Sequence, residues 1–191
     1  FCPVRELRFE ERIVKRMGDI LISAIGLVLA SPILLVTALA IRLEDHGPVF
    51  YRQKRATYGG RVFEVYKFRS MRPQDGNIHV SAKKDDDRIT RVGHIIRKFR
   101  IDELPQLINV LKSDMSIVGP RPEMLENVEK YTDDLPEFRY RLRAKAGLTG
   151  LAQIYGKYNT SPRDKLIMDL AYIQQYSVWL DLKLILRTAL V

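Results

Sequence analysis

The longest patterned segment of the sequence is an apolar run near its start. Residues 20–41 contain no charged side chain. As a straight helix this run would be about 33 Å long, enough to cross a hydrocarbon core of roughly 30 Å. The run therefore predicts a membrane helix, and an ordinary transmembrane span is one interpretation.

Two features of the same run favour a helix that turns back. Ser31 and Pro32 lie in its middle, and an internal proline removes a helical hydrogen bond at a cost of about 3 kcal/mol and bends the helix. Both flanks are basic, whereas a spanning helix usually carries its Lys/Arg excess on one side. A re-entrant helix and a kinked spanning helix are therefore equal alternatives. The flanking cations are Arg12, Lys15, Arg16, Arg42, Arg52, Lys54 and Arg55.

Shorter patterns surround this run. Residues 1–19 repeat an apolar side chain every four positions among basic residues, which is typical of an amphipathic helix at a membrane surface. Residues 49–51 and 62–66 are apolar and aromatic and flank Tyr58-Gly59-Gly60, which predicts a β-hairpin. Residues 73–88 are polar and indicate a solvated loop.

Helical patterns dominate the remainder of the chain. They predict helices at 95–99, from about 102 to 111 and from about 123 to 131. Ser161 followed by Pro162 indicates a further helix start. The tail, 178–191, mixes leucines with charges and fits either a core helix or a helix on the membrane surface. The predicted fold class is α+β, mainly helical, with one small hairpin.

Composition restricts the partners. A chain of 191 residues fits one compact domain. Its net charge of +9 favours anionic partners, namely nucleic acid, lipid headgroups or phosphorylated small molecules. A single cysteine, Cys2, excludes a disulfide within the chain, and no His/Cys spacing suggests a zinc site.

The adjacent carboxylates Asp102 and Glu103 are the first candidates for chemistry. At a predicted helix start, Asp is a good cap, Glu belongs in the first turn, and Pro105 is tolerated there, so a structural role is sufficient. The same geometry can bind a divalent metal or supply a nucleophile to phosphorus. Arg97, Lys98 and Arg100 precede the pair and can bind phosphate oxygens.

Two basic segments offer phosphate ligands. Pro120, Arg121 and Pro122 form a stiff turn, which is either structural or a means of orienting one guanidinium toward phosphate. Lys67 and Arg69 lie on one face of a predicted strand, which is either a solvated face or a second phosphate contact. The standard nucleotide-binding glycine loops are absent from the sequence.

In this order, the segments resemble the monotopic phosphoglycosyltransferases, bacterial sugar transferases that start the assembly of exopolysaccharides, capsules and glycoprotein glycans. The similarity extends from about Lys15 to Thr188. The matching segments are KRMGDI, the apolar run with its Ser-Pro, GPVFYRQKR, YKFRSM, DDRITRVGHIIRKFRIDELPQLINVLKSDMSIVGPRP, AGLTGLAQIYG and SVWLDLKLILRT. The long central segment is the most specific of them.

The resemblance implies a reaction. In that family the dyad aspartate attacks the sugar-bearing phosphorus of a UDP-sugar, UMP leaves, and polyprenyl phosphate captures the phosphosugar, with Mg²⁺ assisting. Carried onto this chain, Asp102 is the nucleophile and a metal ligand, and Glu103 serves as metal ligand or base, which stays open. The residues implied in substrate binding are Lys67, Arg69, Arg100, Pro120, Arg121 and Pro122.

The resemblance also implies an architecture. Residues 1–191 form one catalytic domain, with an interfacial helix at 1–19, a re-entrant helix at 20–41 broken at Ser31-Pro32, and a cytoplasmic part at 42–191. It places the protein in the bacterial inner membrane with no nucleic-acid partner, and leaves the oligomeric state open, with a homodimer as one alternative.

Some questions stay open at the level of sequence. Ala146 stands where the family commonly has proline, so the shape of that loop is not fixed by the resemblance. The sugar cannot be identified. The competing interpretations are a membrane-tethered nucleic-acid-binding protein and an anchor protein without chemistry.

Overall fold

The computed structural model describes residues 7–72, 86–156, 160–188 and 190. Cys2, the first six residues of the predicted interfacial helix and most of the predicted loop at 73–88 lie outside the described residues. The helices are α1 (Phe9–Asp45), α2 (Arg91–Lys98), α3 (Gln106–Leu111), α4 (Leu125–Asp134), α5 (Leu151–Tyr155), α6 (Pro162–Gln174) and α7 (Val178–Thr188). The strands are β1 (Phe50–Ala56), β2 (Val62–Phe68), β3 (Ser116–Val118) and β4 (Gly147–Thr149).

The helix α1 joins two segments that the sequence pattern separates. The predicted interfacial and membrane helices are one continuous helix of 37 residues, which also contains Pro32. A proline cannot donate to the carbonyl four residues earlier, which here belongs to Val28. The Ser31 hydroxyl donates to that carbonyl at 2.7 Å. The Ser-Pro pair therefore satisfies within itself the acceptor that the proline leaves unpaired.

Most of α1 lies on the outside of the protein. Within the described residues it is the one helix long and apolar enough to cross a membrane by length and composition. Its apolar window has a mean hydropathy of 2.5, and only 11% of that window is buried. A core helix of a soluble protein would bury such a surface, so the exposure of α1 as well as its sequence suggests a membrane helix.

The first part of α1 is fastened to the rest of the protein by charged side chains. The Arg16 guanidinium donates to the carbonyls of Val110 and Leu111, at 2.7 and 2.8 Å, at the end of α3. The Asp19 carboxylate accepts hydrogen bonds from the first two residues of β3, at 3.1 and 3.0 Å. One helix therefore holds the elements on which the candidate site is built.

The predicted hairpin is confirmed. Strands β1 and β2 pair antiparallel with Phe50 opposite Phe68. The connecting turn contains Gly59 and Gly60 at φ of 66° and 77°, a left-handed conformation that favours glycine. A second sheet, the parallel pair β3 and β4, was not predicted because each strand has only three residues.

The helices α6 and α7 close the core behind the short sheet. The predicted start of α6 is confirmed, because the Ser161 hydroxyl accepts the backbone N–H of Asp164. Leu166 and Ile173 of α6 and Leu184 of α7 are buried. The tail helix α7 is thus partly a core helix, while the apolar side chains on its other face stay exposed, namely Trp179, Leu182 and Leu186.

Candidate active site

The carboxylate pair lies in a 3-10 turn and not at the start of an α-helix. The turn spans Ile101–Glu103, and α3 begins only at Gln106 with Pro105 as its cap residue. The predicted helix start near Asp102 is therefore wrong by about one turn. Arg100 adopts a left-handed conformation with φ of 56°, which reverses the chain after α2 and places the carboxylates ahead of the helix.

Glu103 is held between two cations from distant parts of the chain. Lys67 Nζ and Arg121 Nη2 each lie 2.8 Å from Glu103 Oε1. Burial raises the pKa of Glu103, but the charges of Arg121 and Lys67 outweigh it, and the pKa falls to about 2. Glu103 is therefore a carboxylate throughout the neutral range, and a weak base.

Asp102 has a different environment. Burial raises the pKa of Asp102, the Lys67 charge lowers it, and the neighbouring Glu103 raises it again. Among the described residues, no lysine or arginine forms an ion pair with the Asp102 carboxylate, whereas Glu103 has two. The two adjacent carboxylates therefore differ. Glu103 is paired with two cations, whereas Asp102 forms no such pair among the described residues and is the better candidate to react.

The Pro120–Pro122 turn is stabilised by hydrogen bonds from other parts of the chain. Its two prolines have no N–H groups, so the turn cannot be fixed by its own donors there. Instead, three different elements donate to its three consecutive carbonyls. The donors are the Gly147 backbone N–H at 2.8 Å, Arg141 Nη2 at 2.7 Å and Arg55 Nη1 at 3.1 Å. The backbone beneath the Arg121 guanidinium is therefore fixed before any ligand binds.

The residue Ala146 has a clear place in this arrangement. Its backbone N–H donates to the Thr57 hydroxyl at 3.1 Å, and its carbonyl accepts from Ser116 of β3 at 2.8 Å. A proline at this position has no N–H and could not make the first bond. The alanine thus leads into β4 in a conformation stabilised by a contact that proline cannot form.

The structure brings together only some of the candidate residues. Lys67 and Arg121 meet at Glu103. Arg69 instead forms a buried ion pair with Asp45 at the end of α1. Arg100 is exposed, two residues before Asp102. The phosphate role that the resemblance implies for Arg69 and Arg100 stays a prediction.

Sequence reasoning missed three residues that build the site. Asn109 of α3 is fully buried and bonds both the carbonyl of Glu64 and the N–H of Tyr66, at 2.7 and 2.9 Å, which fixes β2 beside the carboxylate turn. A polar residue within the apolar run LINVL was the available signal. Arg55 and Arg141 had none, because many arginines surround them in the sequence.

The donor set suits a magnesium ion shared with a phosphorylated ligand. Within the described residues no group of three His, Cys, Asp or Glu side chains is placed to hold a metal by itself. Mg²⁺ is commonly bound by one or two carboxylates together with phosphate oxygens and water. Asp102 and Glu103 are adjacent carboxylates, with Lys67 and Arg121 beside Glu103, and this donor set fits that pattern.

Comparison with known proteins places the chain in a family. The family model described as bacterial sugar transferase matches residues 10–191. A Caulobacter vibrioides protein named UDP-glucose:undecaprenyl-phosphate glucose-1-phosphate transferase is 45% identical, over 91% of this chain and 67% of its own length. An Aeromonas hydrophila UDP-N-acetylgalactosamine-undecaprenyl-phosphate N-acetylgalactosaminephosphotransferase is 44% identical, over 92% of this chain.

The extent of these matches differs. This chain covers only 42% of the Aeromonas relative. A Bacillus subtilis protein named uncharacterized sugar transferase EpsL is of more similar size, 40% identical over 92% of this chain and 85% of its own length. The family match covers the membrane helix, the carboxylate turn and the Pro-Arg-Pro turn together. The chain therefore belongs to the bacterial sugar transferase family.

Proposed function

We propose that this protein transfers a phosphosugar from a UDP-sugar to undecaprenyl phosphate, giving a polyprenyl-diphosphate-sugar and UMP. The observation that carries this proposal is the carboxylate turn, in which Glu103 pairs with Lys67 and Arg121 while no lysine or arginine in the described part of the chain forms an ion pair with Asp102. The named activities of the relatives supply the substrate class, a UDP-sugar donor and undecaprenyl phosphate acceptor.

Asp102 is the proposed nucleophile. A carboxylate oxygen of Asp102 attacks the phosphorus that bears the sugar, and the bond from that phosphorus to the UMP oxygen breaks. The sugar phosphate is then held on Asp102 as an acyl phosphate. An oxygen of the lipid phosphate attacks the same phosphorus, which releases the Asp102 carboxylate unchanged. Covalent catalysis of this kind lets a water-soluble and a lipid substrate use one site in turn.

The cations of the site lower the barrier to this attack. A carboxylate repels the diphosphate of the donor unless positive charge offsets it. Lys67 and Arg121 approach Glu103 in the structure, and their remaining donors can bind phosphate oxygens. Asp102 and Glu103 would hold Mg²⁺, which supplies further charge neutralisation when bound. Since Glu103 has a pKa of about 2, a metal-binding role suits it better than that of a general base.

The proposed location is the cytoplasmic face of the inner membrane, with α1 as a re-entrant helix. The Ser31 bond to the Val28 carbonyl allows Pro32 to lie inside the bilayer, because lipid offers no donor to a carbonyl freed by a proline, and this holds for a re-entrant and a spanning helix alike. Basic residues at both ends of the apolar run support the re-entrant helix. The alternatives of a nucleic-acid-binding tether or an inert anchor gain no support from the relatives, which are named as transferases.

A UMP-release assay tests the function. The purified protein in detergent is mixed with undecaprenyl phosphate, Mg²⁺ and one UDP-sugar at a time from a panel. At least one sugar should give repeated turnovers of UMP release that depend on the lipid, beyond the single equivalent released when the intermediate forms. Asp102→Asn should give none, since an amide is a poor nucleophile. Asp134→Asn is the matched control, because Asp134 is exposed at the end of α4, outside the site. Full UMP release by Asp102→Asn would refute the nucleophile assignment.

A further inference from the structure

Arg141 is a buried cation beneath the Pro-Arg-Pro turn. Its side chain is only 3% exposed and lies over the Phe138 ring, 4.8 Å from the centroid. Nη2 donates to the carbonyl of Arg121 at 2.7 Å. Arg141 thus contacts the backbone of a proposed substrate-binding residue from the inner side, where neither substrate would touch it.

A cluster of charges surrounds this guanidinium. Arg141 Nη2 lies 2.8 Å from Asp169 Oδ2 and Nη1 lies 3.7 Å from Glu123 Oε1, so both carboxylates attract it as ion pairs without a hydrogen bond of good geometry. Lys165 pairs with Glu123 at 3.2 Å, so two cations balance two carboxylates. Burial raises the pKa of Asp169 to about 6, although the Arg141 charge opposes this. The desolvation of Arg141, Asp169 and Glu123 is costly, and well-packed apolar residues would often give an equally stable core.

A positioning role accounts for this costly cluster. The turn has lost two N–H donors to proline, and its central carbonyl belongs to Arg121 itself. A guanidinium is planar and presents several donors in a fixed fork, so it can bind one carbonyl while carboxylates hold its orientation. The cluster thereby fixes the Arg121 backbone, and with it the direction in which the Arg121 side chain leaves the turn toward Glu103.

We propose that Arg141, oriented by Asp169 and Glu123, is a positioning residue that presets Arg121 for the diphosphate of the donor. This inference rests on the proposed function. Arg141 touches no substrate and acts on the donor through Arg121. Loss of this positioning therefore affects binding of the nucleotide sugar and leaves the lipid acceptor unaffected.

Arg141→Lys tests the proposal, because it keeps the charge near Asp169 but replaces the planar fork by one ammonium. The KM for the UDP-sugar should rise about tenfold, comparable to one lost charge-assisted hydrogen bond. Both kcat and the KM for undecaprenyl phosphate should stay within about twofold, as expected when ground-state and transition-state binding are lost equally. Arg61→Lys is the control, since Arg61 also contacts a carbonyl and a carboxylate, Ser113 and Asp114, but on the surface.

A purely structural role predicts a different result. A smaller folded fraction lowers kcat and leaves the donor KM unchanged, and that outcome overturns the proposal. Arg121→Ala supplies a second test, because Arg141→Lys should raise the donor KM no further in its background, and additive effects would contradict positioning. If Arg141→Lys does not fold, Asp169→Asn is measured in the same way. A wild-type protein that releases no UMP would overturn the proposed function instead.

Discussion

The buried ion pair between Lys15 of α1 and Asp181 of α7 tests how the membrane helix is fastened to the core. The two side chains are 9% and 10% exposed. Lys15 Nζ also donates to the carbonyl of Val118, at the end of β3, at 3.2 Å. The Tyr172 hydroxyl lies 2.8 Å from Asp181 Oδ1. Lys15→Met removes the cation and leaves a buried carboxylate with only neutral contacts in this cluster.

The expected cost follows from this burial. Removing one partner of a buried pair costs about 3–5 kcal/mol, and the Tyr172 contact places the cost near the lower end, about 3 kcal/mol. For a chain of this size about 1 kcal/mol corresponds to 2–4 °C, so Tm should fall by about 6–12 °C. Burial raises the pKa of Asp181 and the Lys15 charge opposes it. Without Lys15 the carboxyl protonates more readily, so the deficit should shrink as pH falls from neutral.

Thermal unfolding in detergent measures this cost. Arg52→Met is the control, because Arg52 and Glu64 lie 3.8 Å apart with side chains 60% and 49% exposed. Such a surface pair contributes at most about 1 kcal/mol. Lys15→Met combined with Asp181→Leu should recover much of the loss, since no unpaired charge remains. Equal falls in Tm for Lys15→Met and Arg52→Met would refute the reasoning. So would a fall in Tm for the double variant equal to the sum of the falls for Lys15→Met and Asp181→Leu measured singly.

Three further predictions concern the site and the membrane helix. Labelled UDP-sugar without lipid acceptor should leave a phosphosugar adduct on Asp102, and rapidly quenched intact protein without added mass would favour direct transfer. Glu103→Gln should lower Tm at pH 7, where the pKa of about 2 against an ordinary 4.5 corresponds to about 3 kcal/mol. That gap should narrow as pH falls below 4.5, and a gap independent of pH would contradict the assignment. Ser31→Ala with Pro32→Ala should let some molecules span the membrane, so that an impermeant reagent labels Cys2 in intact cells. Labelling of wild-type Cys2 from outside, with the catalytic part protected, would indicate an ordinary transmembrane helix.

Sequence patterns were enough to predict the elements whose signals lie within a few residues of one another. The apolar run, the hairpin around Gly59-Gly60 and the Ser161 cap of α6 follow from side chains that lie close together in the chain. Physical rules of helix length, turn conformation and capping act over a few residues, so they can be applied to sequence alone. The Asp102-Glu103 pair was recognisable for the same reason, because its two members are adjacent.

Tertiary structure decided what distinguishes the two carboxylates. Glu103 receives Lys67 from β2 and Arg121 from the Pro-Arg-Pro turn, and no local rule brings these three residues together. The same holds for Arg141, one of many arginines in the sequence, which becomes a buried support only when α6 supplies Asp169. Coulomb energies depend on distance and burial, and both are fixed only when distant elements pack. The sequence by itself thus determined which groups can react, and packing decided that Glu103 and not Asp102 is the one paired with Lys67 and Arg121.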